Sequence, residues 1–366
     1  MTDTVIRFEE EAIFKLRYLY KRHGYLPYKM SKFEEYELYS RNKDFLVSDR
    51  VITFNDTDGK LMALKPDVTL SIIKNGEDIK GVKQKVYYDE RVYRVSDSTR
   101  HFKEILQTGL ECIGDIDLYD IYEVITLAAE SLSNISDSYY LDVSSLDLVY
   151  SVVSSACGNY EFIRRVTECL SQKNTHDLKS VCGEYSVSEE NYRKIAGFIS
   201  LGGKRSEVIA GVSELCGAEA VRELRELSQM LDNSPFSHRI RFDFSVISDM
   251  SYYNGFVFNG FIDGICSGVL AGGQYGNMMK KMSRDSEAVG FALYLDRLED
   301  LDRSRESYDV DCLLLYDGCI SPAELAQKVD SLIARGISVS AQKSVPPKLR
   351  YKNAIDLRQQ EGENNA

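Results

Sequence analysis

None of the eight cysteines forms a C-x-x-C pair, which argues against a disulfide scaffold or a thiolate zinc site in this 366-residue chain. Histidine is scarce (His23, His101, His176, His238) and H-E-x-x-H is absent, so no metal centre is expected. The longest uncharged stretch, Gly264 to Met279, holds five glycines. It falls short of the ~18–20 apolar residues of a membrane span. The opening residues, from Met1 to Glu11, lack a basic start followed by an apolar run, so no signal peptide is expected. Basic charge is in the minority as well: 45 Lys+Arg against 57 Asp+Glu give a net charge of −12. Phosphate backbones are gripped mainly by Lys and Arg, so nucleic-acid binding is disfavoured without a local basic patch. Gly202-Gly-Lys-Arg-Ser206 lacks the earlier glycine of a P-loop, and Ala271-Gly-Gly-Gln-Tyr-Gly-Asn277 lacks the G-x-G-x-x-G spacing. With 43% hydrophobic residues the chain is ordinary and core-forming, and a reduced, cytoplasmic protein is the expectation.

At ~100–200 residues per domain, the length suggests two or three domains. A first helix carries the stripe Phe8, Ile13, Leu16, Tyr20, with Thr2 or Asp3 as cap and Gly24 as stop. Val51 to Leu64 reads as a hairpin turning at Asp58-Gly59, followed by Lys65-Pro-Asp-Val-Thr69 and a short apolar helix. Strands follow at Val86–Arg94 and Lys103–Ile113, while 120–133 and 145–155 read as helices or packed strands. The stretch 158–235 turns helical and charged, with Val221, Leu224, Leu227 and Leu231 at helical spacing. The β pattern returns at 239–247, 252–262 and 265–271, and Glu287 to Leu298 reads as a helix. Strands interrupted by a helical insertion and then resumed suggest an α+β fold with a mostly antiparallel sheet for residues 1–304. Residues 305–366 read as a short β-α-β unit, with Ser321 capping its helix, and a polar, frayed tail from Pro346.

Three groups of residues are candidates for chemistry. In Lys103–Ile113 the two-residue period places Gln107, Gly109 and Glu111 on one face, an amide and a carboxylate with a glycine between them. Asp67 and Thr69 stand at a helix start, where Asp67 suits an ammonium group. Ser251-Tyr-Tyr-Asn-Gly-Phe-Val-Phe258 offers paired hydroxyls. Each has a plainer reading taken alone: a solvent-facing strand, a carboxylate favoured by a helix dipole, and a tyrosine pair in a chain that has 24 tyrosines.

Their succession is more specific. Thr53-Phe-Asn-Asp, Leu64-Lys-Pro-Asp-Val-Thr69, Tyr88-x5-Arg94, Gln107-Thr-Gly-Leu-Glu111, Tyr252-Tyr-Asn-Gly-Phe-Val-Phe258, Gly272-Gly-Gln-Tyr275 and Ala288-Val-Gly-Phe-Ala-Leu-Tyr-Leu-Asp-Arg297 together resemble the histidyl-tRNA synthetase catalytic core over about residues 5–300. The resemblance implies a class II synthetase-like antiparallel sheet flanked by helices, with 158–235 as the family's helical insertion. It places Asp67, Thr69, Arg94, Gln107, Glu111, Tyr252 and Tyr253 on histidine-pocket positions, Asp67 being one methylene shorter than the synthetases' Glu. It also exposes losses on the ATP side. Ser248 stands where the synthetases carry an arginine four residues before the tyrosine pair, and such a contact is typically worth ~10²–10³ in rate. Ser96 replaces a glutamate, Gln274 an arginine, Tyr294 a glycine whose space the nucleotide would need, and Ser31 a proline. Arg94 and Arg297 persist.

Lys-Pro-Asp-Val-Thr, Phe33-Glu-Glu-Tyr and the 252–258 stretch resemble the ATP phosphoribosyltransferase regulatory subunits, paralogues of the synthetases, more than the synthetases themselves. That likeness implies no catalysis and no cofactor. It implies a short-form ATP phosphoribosyltransferase catalytic subunit as partner, a homodimer within a hetero-octamer, and L-histidine as effector, at this pocket or at a subunit interface. Residues 301–366 hold 9 Lys+Arg against 10 Asp+Glu, net −1, and tRNA is not expected as a partner. A divergent histidyl-tRNA synthetase is the second reading; a stand-alone histidine sensor or tRNA-mimic adaptor is the third.

Overall fold

The computed structural model describes residues 7–43, 46, 50–76, 78–79, 81–95, 100–247, 252–298 and 308–358. The chain opens with helix α1 (Phe8–Arg22), closed by Gly24 at φ +80°, and strand β1 (Leu26–Pro27). A small antiparallel sheet follows, built from β2 (Phe33–Glu35), β3 (Thr53–Asn55) and β4 (Leu61–Leu64), with α2 (Tyr36–Arg41) after its first strand. Gly59, at φ +86°, makes the hairpin turn expected at Asp58-Gly59. Then come α3 (Thr69–Asn75), the long pair β5 (Gln84–Val95) and β6 (Phe102–Gly114), α4 (Leu118–Ser133), β7 (Tyr139–Ser145) and α5 (Leu146–Ala156). The 120–133 and 145–155 segments are therefore helices. Asp117 and Asp120 form a capping box on α4, and Ser145 caps α5.

Five helices follow: α6 (Tyr160–Ser171), α7 (Thr175–Glu184), α8 (Glu189–Ser200), α9 (Arg205–Cys216) and α10 (Arg222–Asp232), with the two-residue strand β8 (Gly202–Gly203) among them. Leu224, Leu227 and Leu231 are buried along α10, as their spacing requires. Arg205, which follows a glycine pair in the sequence, is a buried structural group. Its guanidinium reaches the Ser237 and Ile240 carbonyls at 2.6 and 2.8 Å and Asp232 at 2.6 Å.

The sheet resumes with β9 (Ile240–Asp243), β10 (Asn254–Ile262) and β11 (Leu270–Gln274), then α11 (Gly276–Lys281) and β12 (Glu287–Tyr294). The nine strands run in the order β1-β5-β6-β12-β11-β10-β7-β9-β8, parallel only at β1/β5 and β7/β9. The helix expected over Glu287–Leu298 is thus a strand ending in a short 3-10 turn. Its apolar run is covered on both faces, and such a strand loses the two-residue alternation that separates strand from helix. One face of the sheet packs Leu110, Cys112 and Phe291 under α1 and α4; the other carries Tyr88, Gln107 and Glu111 towards α3 and Tyr275.

The C-terminal residues form a unit of their own. Strand β13 (Val310–Leu315), α12 (Pro322–Ala334), β14 (Val339–Gln342) and β15 (Tyr351–Asp356) make a parallel sheet in the order β14-β13-β15. Ser321 and Glu324 form a reciprocal capping box, with Pro322 in the first turn. The frayed tail expected from Pro346 instead contains the third strand. β15 is mostly exposed and is held by its backbone pairing to β13, so no apolar pattern announces it. Thr2, Asp3, Ser96 and Ser248 lie outside the described residues.

Candidate functional site

The site starts at the Lys65-Pro-Asp-Val-Thr69 turn. Lys65 is completely buried, and its Nζ meets Glu90 of β5 at 2.9 Å. The Tyr93 amide donates to the Lys65 carbonyl, and Arg94 Nε donates to the Pro66 carbonyl at 2.7 Å. Three bonds therefore fasten the turn to β5. Asp67 then accepts from the Leu70 amide at 2.8 Å, at the first turn of α3, and its other oxygen lies 3.7 Å from Arg94 Nη2.

Sheet register supplies the floor. Gln107, Gly109 and Glu111 of β6 stand opposite Tyr294, Ala292 and Gly290 of β12. Gly109 is needed because the Tyr88 ring lies across it: a Cβ there would fall 2.6 Å from the Tyr88 hydroxyl and 2.2 Å from the Phe291 carbonyl. Gly290 admits the Glu111 carboxyl, since a Cβ there would sit 1.7 Å from Glu111 Oε2. Glu111 is only 2% exposed. Thr69 Oγ1 donates to its Oε1 at 2.9 Å, and the Tyr275 hydroxyl donates to its Oε2 at 2.6 Å. Burial pushes the Glu111 carboxyl up to about 8, the two donors opposing the shift. Burial also raises Asp67, against the pull of Arg94, and raises Tyr88, Tyr252, Tyr253 and Tyr275 well above the usual phenol range.

These groups surround a cavity of about 250 Å³. That is smaller than the ~300–1,000 Å³ clefts of drug-sized ligands and suits a single amino acid. Asp67, Thr69, Gln107, Glu111, Tyr252 and Tyr253 all line it, joined by Tyr88, Tyr275 and Tyr294. The solvent-facing reading of β6 is corrected, since Gln107 and Glu111 are both buried. Arg94 does not line the cavity and stands next to Asp67 instead. No Lys, Arg or His is among the lining residues described. Gln107 Nε2 is buried and has no hydrogen-bond partner among the described residues, so it offers a donor to an acceptor placed in the cavity. Two carboxyl groups, an array of phenols and a buried amide donor face the cavity, and no cation is among its described lining residues.

Tyr294 lines the cavity, and Arg297 stacks on its ring at 4.4 Å while donating to the Gly268 carbonyl. Gln274 lies outside the lining, and its Oε1 accepts from the Phe256 amide at 2.7 Å. Tyr275 and Tyr88 belong to the motifs, but the sequence reading does not place them in the site. The glycines Gly109 and Gly290, which make room for Tyr88 and Glu111, were the signal that could have pointed to them. No group of three or more His, Cys, Asp or Glu among the described residues could hold a metal ion. None of the helices described is long and apolar enough to cross a membrane.

The family model of histidyl-tRNA synthetase matches residues 4–298. An ATP phosphoribosyltransferase regulatory subunit of Clostridium kluyveri is 26% identical over 342 residues, covering 88% of this chain and 86% of that protein. Among solved structures, an ATP phosphoribosyltransferase regulatory subunit/histidyl-tRNA synthetase from Bacillus halodurans superposes with a TM-score of 0.73 at 21% identity, over 98% of this chain and 97% of that one. A chain of the ATP phosphoribosyl transferase (HisG:HisZ) complex from Thermotoga maritima superposes with a TM-score of 0.62 at 18% identity, over 78% of this chain and 97% of that one. These two likenesses carry the fold, a class II synthetase-like sheet flanked by helices. The match over residues 4–298 shows that the chain belongs to the histidyl-tRNA synthetase family.

Proposed function

We propose that this chain is a non-catalytic regulatory subunit of ATP phosphoribosyltransferase, acting in the first step of histidine biosynthesis and in its feedback control by histidine. The observation that carries this reading is the match, along 86% of its length, to a regulatory subunit of that enzyme. The site supports it physically. Amino-acid-recognising groups face the cavity, whereas Arg297 stacks on Tyr294 at its edge and Gln274 is tied to the backbone of β10.

In this reading the partner is the short-form catalytic subunit, assembled with a homodimer of this chain into a hetero-octamer in the cytoplasm. Histidine is the effector, held by Asp67, Thr69, Gln107, Glu111, Tyr252 and Tyr253. Asp67 receives the ammonium, Glu111 and a phenol receive the ring, and Gln107 Nε2 donates to the carboxylate. A coupling of ~1–3 kcal/mol between histidine and assembly state is enough for 5–150-fold feedback. Co-expression with a short-form catalytic subunit tests the proposal. The expected result is a stable complex whose phosphoribosyl transfer requires this chain and falls on addition of histidine, as measured by co-purification, native mass spectrometry and activity. Histidine-dependent ATP–pyrophosphate exchange by this chain alone would favour the synthetase reading instead.

A further inference from the structure

A carboxyl group sealed inside a sheet requires either a counter-cation or a proton. Around Glu111 the facing groups can be named element by element. Thr69 and Asp67 come from α3 and its approach, Tyr88 from β5, Tyr275 from the end of β11, Tyr252 and Tyr253 from the segment before β10, and Gly290 and Tyr294 from β12. All are neutral except Asp67, which is itself an acid. Two cations act on Asp67 and neither lines the cavity: Arg94 lies 3.7 Å from its carboxylate, and buried Lys65 is paired with Glu90.

We infer that the unliganded site holds a proton on Glu111, and that the site selects an amino acid whose ring nitrogen is neutral in solution and takes that proton on binding. This deepens the histidine reading and rests on it. The step is balanced: the Glu111 O–H bond breaks, a ring N–H bond forms, and a carboxylate–imidazolium pair results with no net exchange with solvent. The contacts suit both states, because the Thr69 hydroxyl can accept from a carboxylic acid or donate to a carboxylate, and Tyr275 donates to either. A side chain that is always charged has to drive the Glu111 proton into water. A ring too weakly basic leaves the proton where it is. An imidazole, with its ordinary value of ~6.5 below the about 8 of Glu111, accepts it because the carboxylate and imidazolium then attract each other at close range in a buried site, which offsets that difference.

The neutral ring and the protonated carboxyl coexist in solution between that ~6.5 and the Glu111 value of about 8. Binding therefore releases a proton at lower pH, exchanges almost none near neutrality, and takes one up at higher pH.

Calorimetry of the full chain with L-histidine, in buffers of different ionisation heat, counts the protons held by the carboxyl–ring pair, and a weakly basic ring analogue tests the transfer to the ring. The expected result is release of about one proton at about pH 5.5, almost none at about pH 7.2, and uptake of most of a proton at about pH 8.5. Glu111→Gln removes the uptake at the alkaline end. A triazole isostere of histidine, tested on the unaltered protein, binds at least about tenfold more weakly at neutral pH. Histidine binding without a sign change overturns this inference alone. Absence of histidine binding overturns the pocket assignment along with it, while co-purification with the catalytic subunit decides the regulatory reading separately. Equal affinity for the triazole and for histidine also overturns it.

Discussion

Two halves of one cleft differ in where their polar groups point. On the amino-acid side, Asp67, Gln107 and Glu111 line a cavity. On the other side, Arg94 is bound to the Pro66 carbonyl, Gln274 to the Phe256 amide, and Arg297 to Tyr294 and the Gly268 carbonyl. The first half leaves a buried amide donor, that of Gln107, without a partner among the described residues, at a cost of ~1–3 kcal/mol. The second half has its polar groups tied to the protein's own backbone, Arg297 from an exposed position. Sequence identity at a motif position therefore does not report its use: both arginines persist, yet both are tied to the protein's own backbone.

The contrast can be broken most sharply at Glu111. Glu111→Ala removes the acceptor for Thr69 and Tyr275 and opens the floor above Gly290. We expect histidine affinity to fall about 100-fold, consistent with ~2–3 kcal/mol for a hydrogen bond to a charged group. Identical calorimetric titrations of variant and wild type would rule this pocket out.

The next effect is on stability against pH. The folded-state value of Glu111, about 8, lies above the ordinary 4.5, so the folded protein binds more protons between the two. Its contribution is full below about 4.5 and is lost as pH rises through about 8. We expect the melting temperature of the unliganded protein to decline across that window, with a shallower decline in Glu111→Gln. A slope unaltered by the substitution contradicts the buried-proton account. Asp67, also raised, contributes in the same direction and keeps a residual slope.

A smaller test separates binding from stability within the receptor half. Gln107→Met removes the unpartnered amide, so the melting temperature should hold or rise while histidine affinity falls about tenfold. The structural half should behave in the opposite way. Arg297→Ala is expected to cost about 1 kcal/mol of stability through its stacking on Tyr294 and leave histidine affinity within about twofold. Denaturant unfolding and calorimetry on the same preparations check both.

Much of the receptor half is legible in the order of residues alone. Alternation along Lys103–Ile113 places Gln107 and Glu111 on one face, and glycines mark the hairpin and the stop of α1. The succession of motifs points to six residues that the fold brings around one cavity. Other features have no local signature. β12 reads as a helix because both its faces are covered, and β15 reads as a tail because backbone pairing rather than apolar burial holds it. The hydrogen bonds of Arg94 and Arg297 go to carbonyls 28 and 29 residues away in sequence, which no spacing rule reaches. Tyr275 escapes notice as a partner of Glu111 for the same reason, the two being 164 positions apart.

Gly290 has a consequence for how such a receptor can change. The room for the carboxyl is made by a missing side chain in the middle of a paired strand, so it is a notch in a rigid bed of strands and not a space between loops. Any larger residue there closes the notch and collides with the Leu110 carbonyl as well, 2.5 Å from the added carbon. Substitutions that reshape the cavity have to work on the tyrosine rim and leave the floor alone.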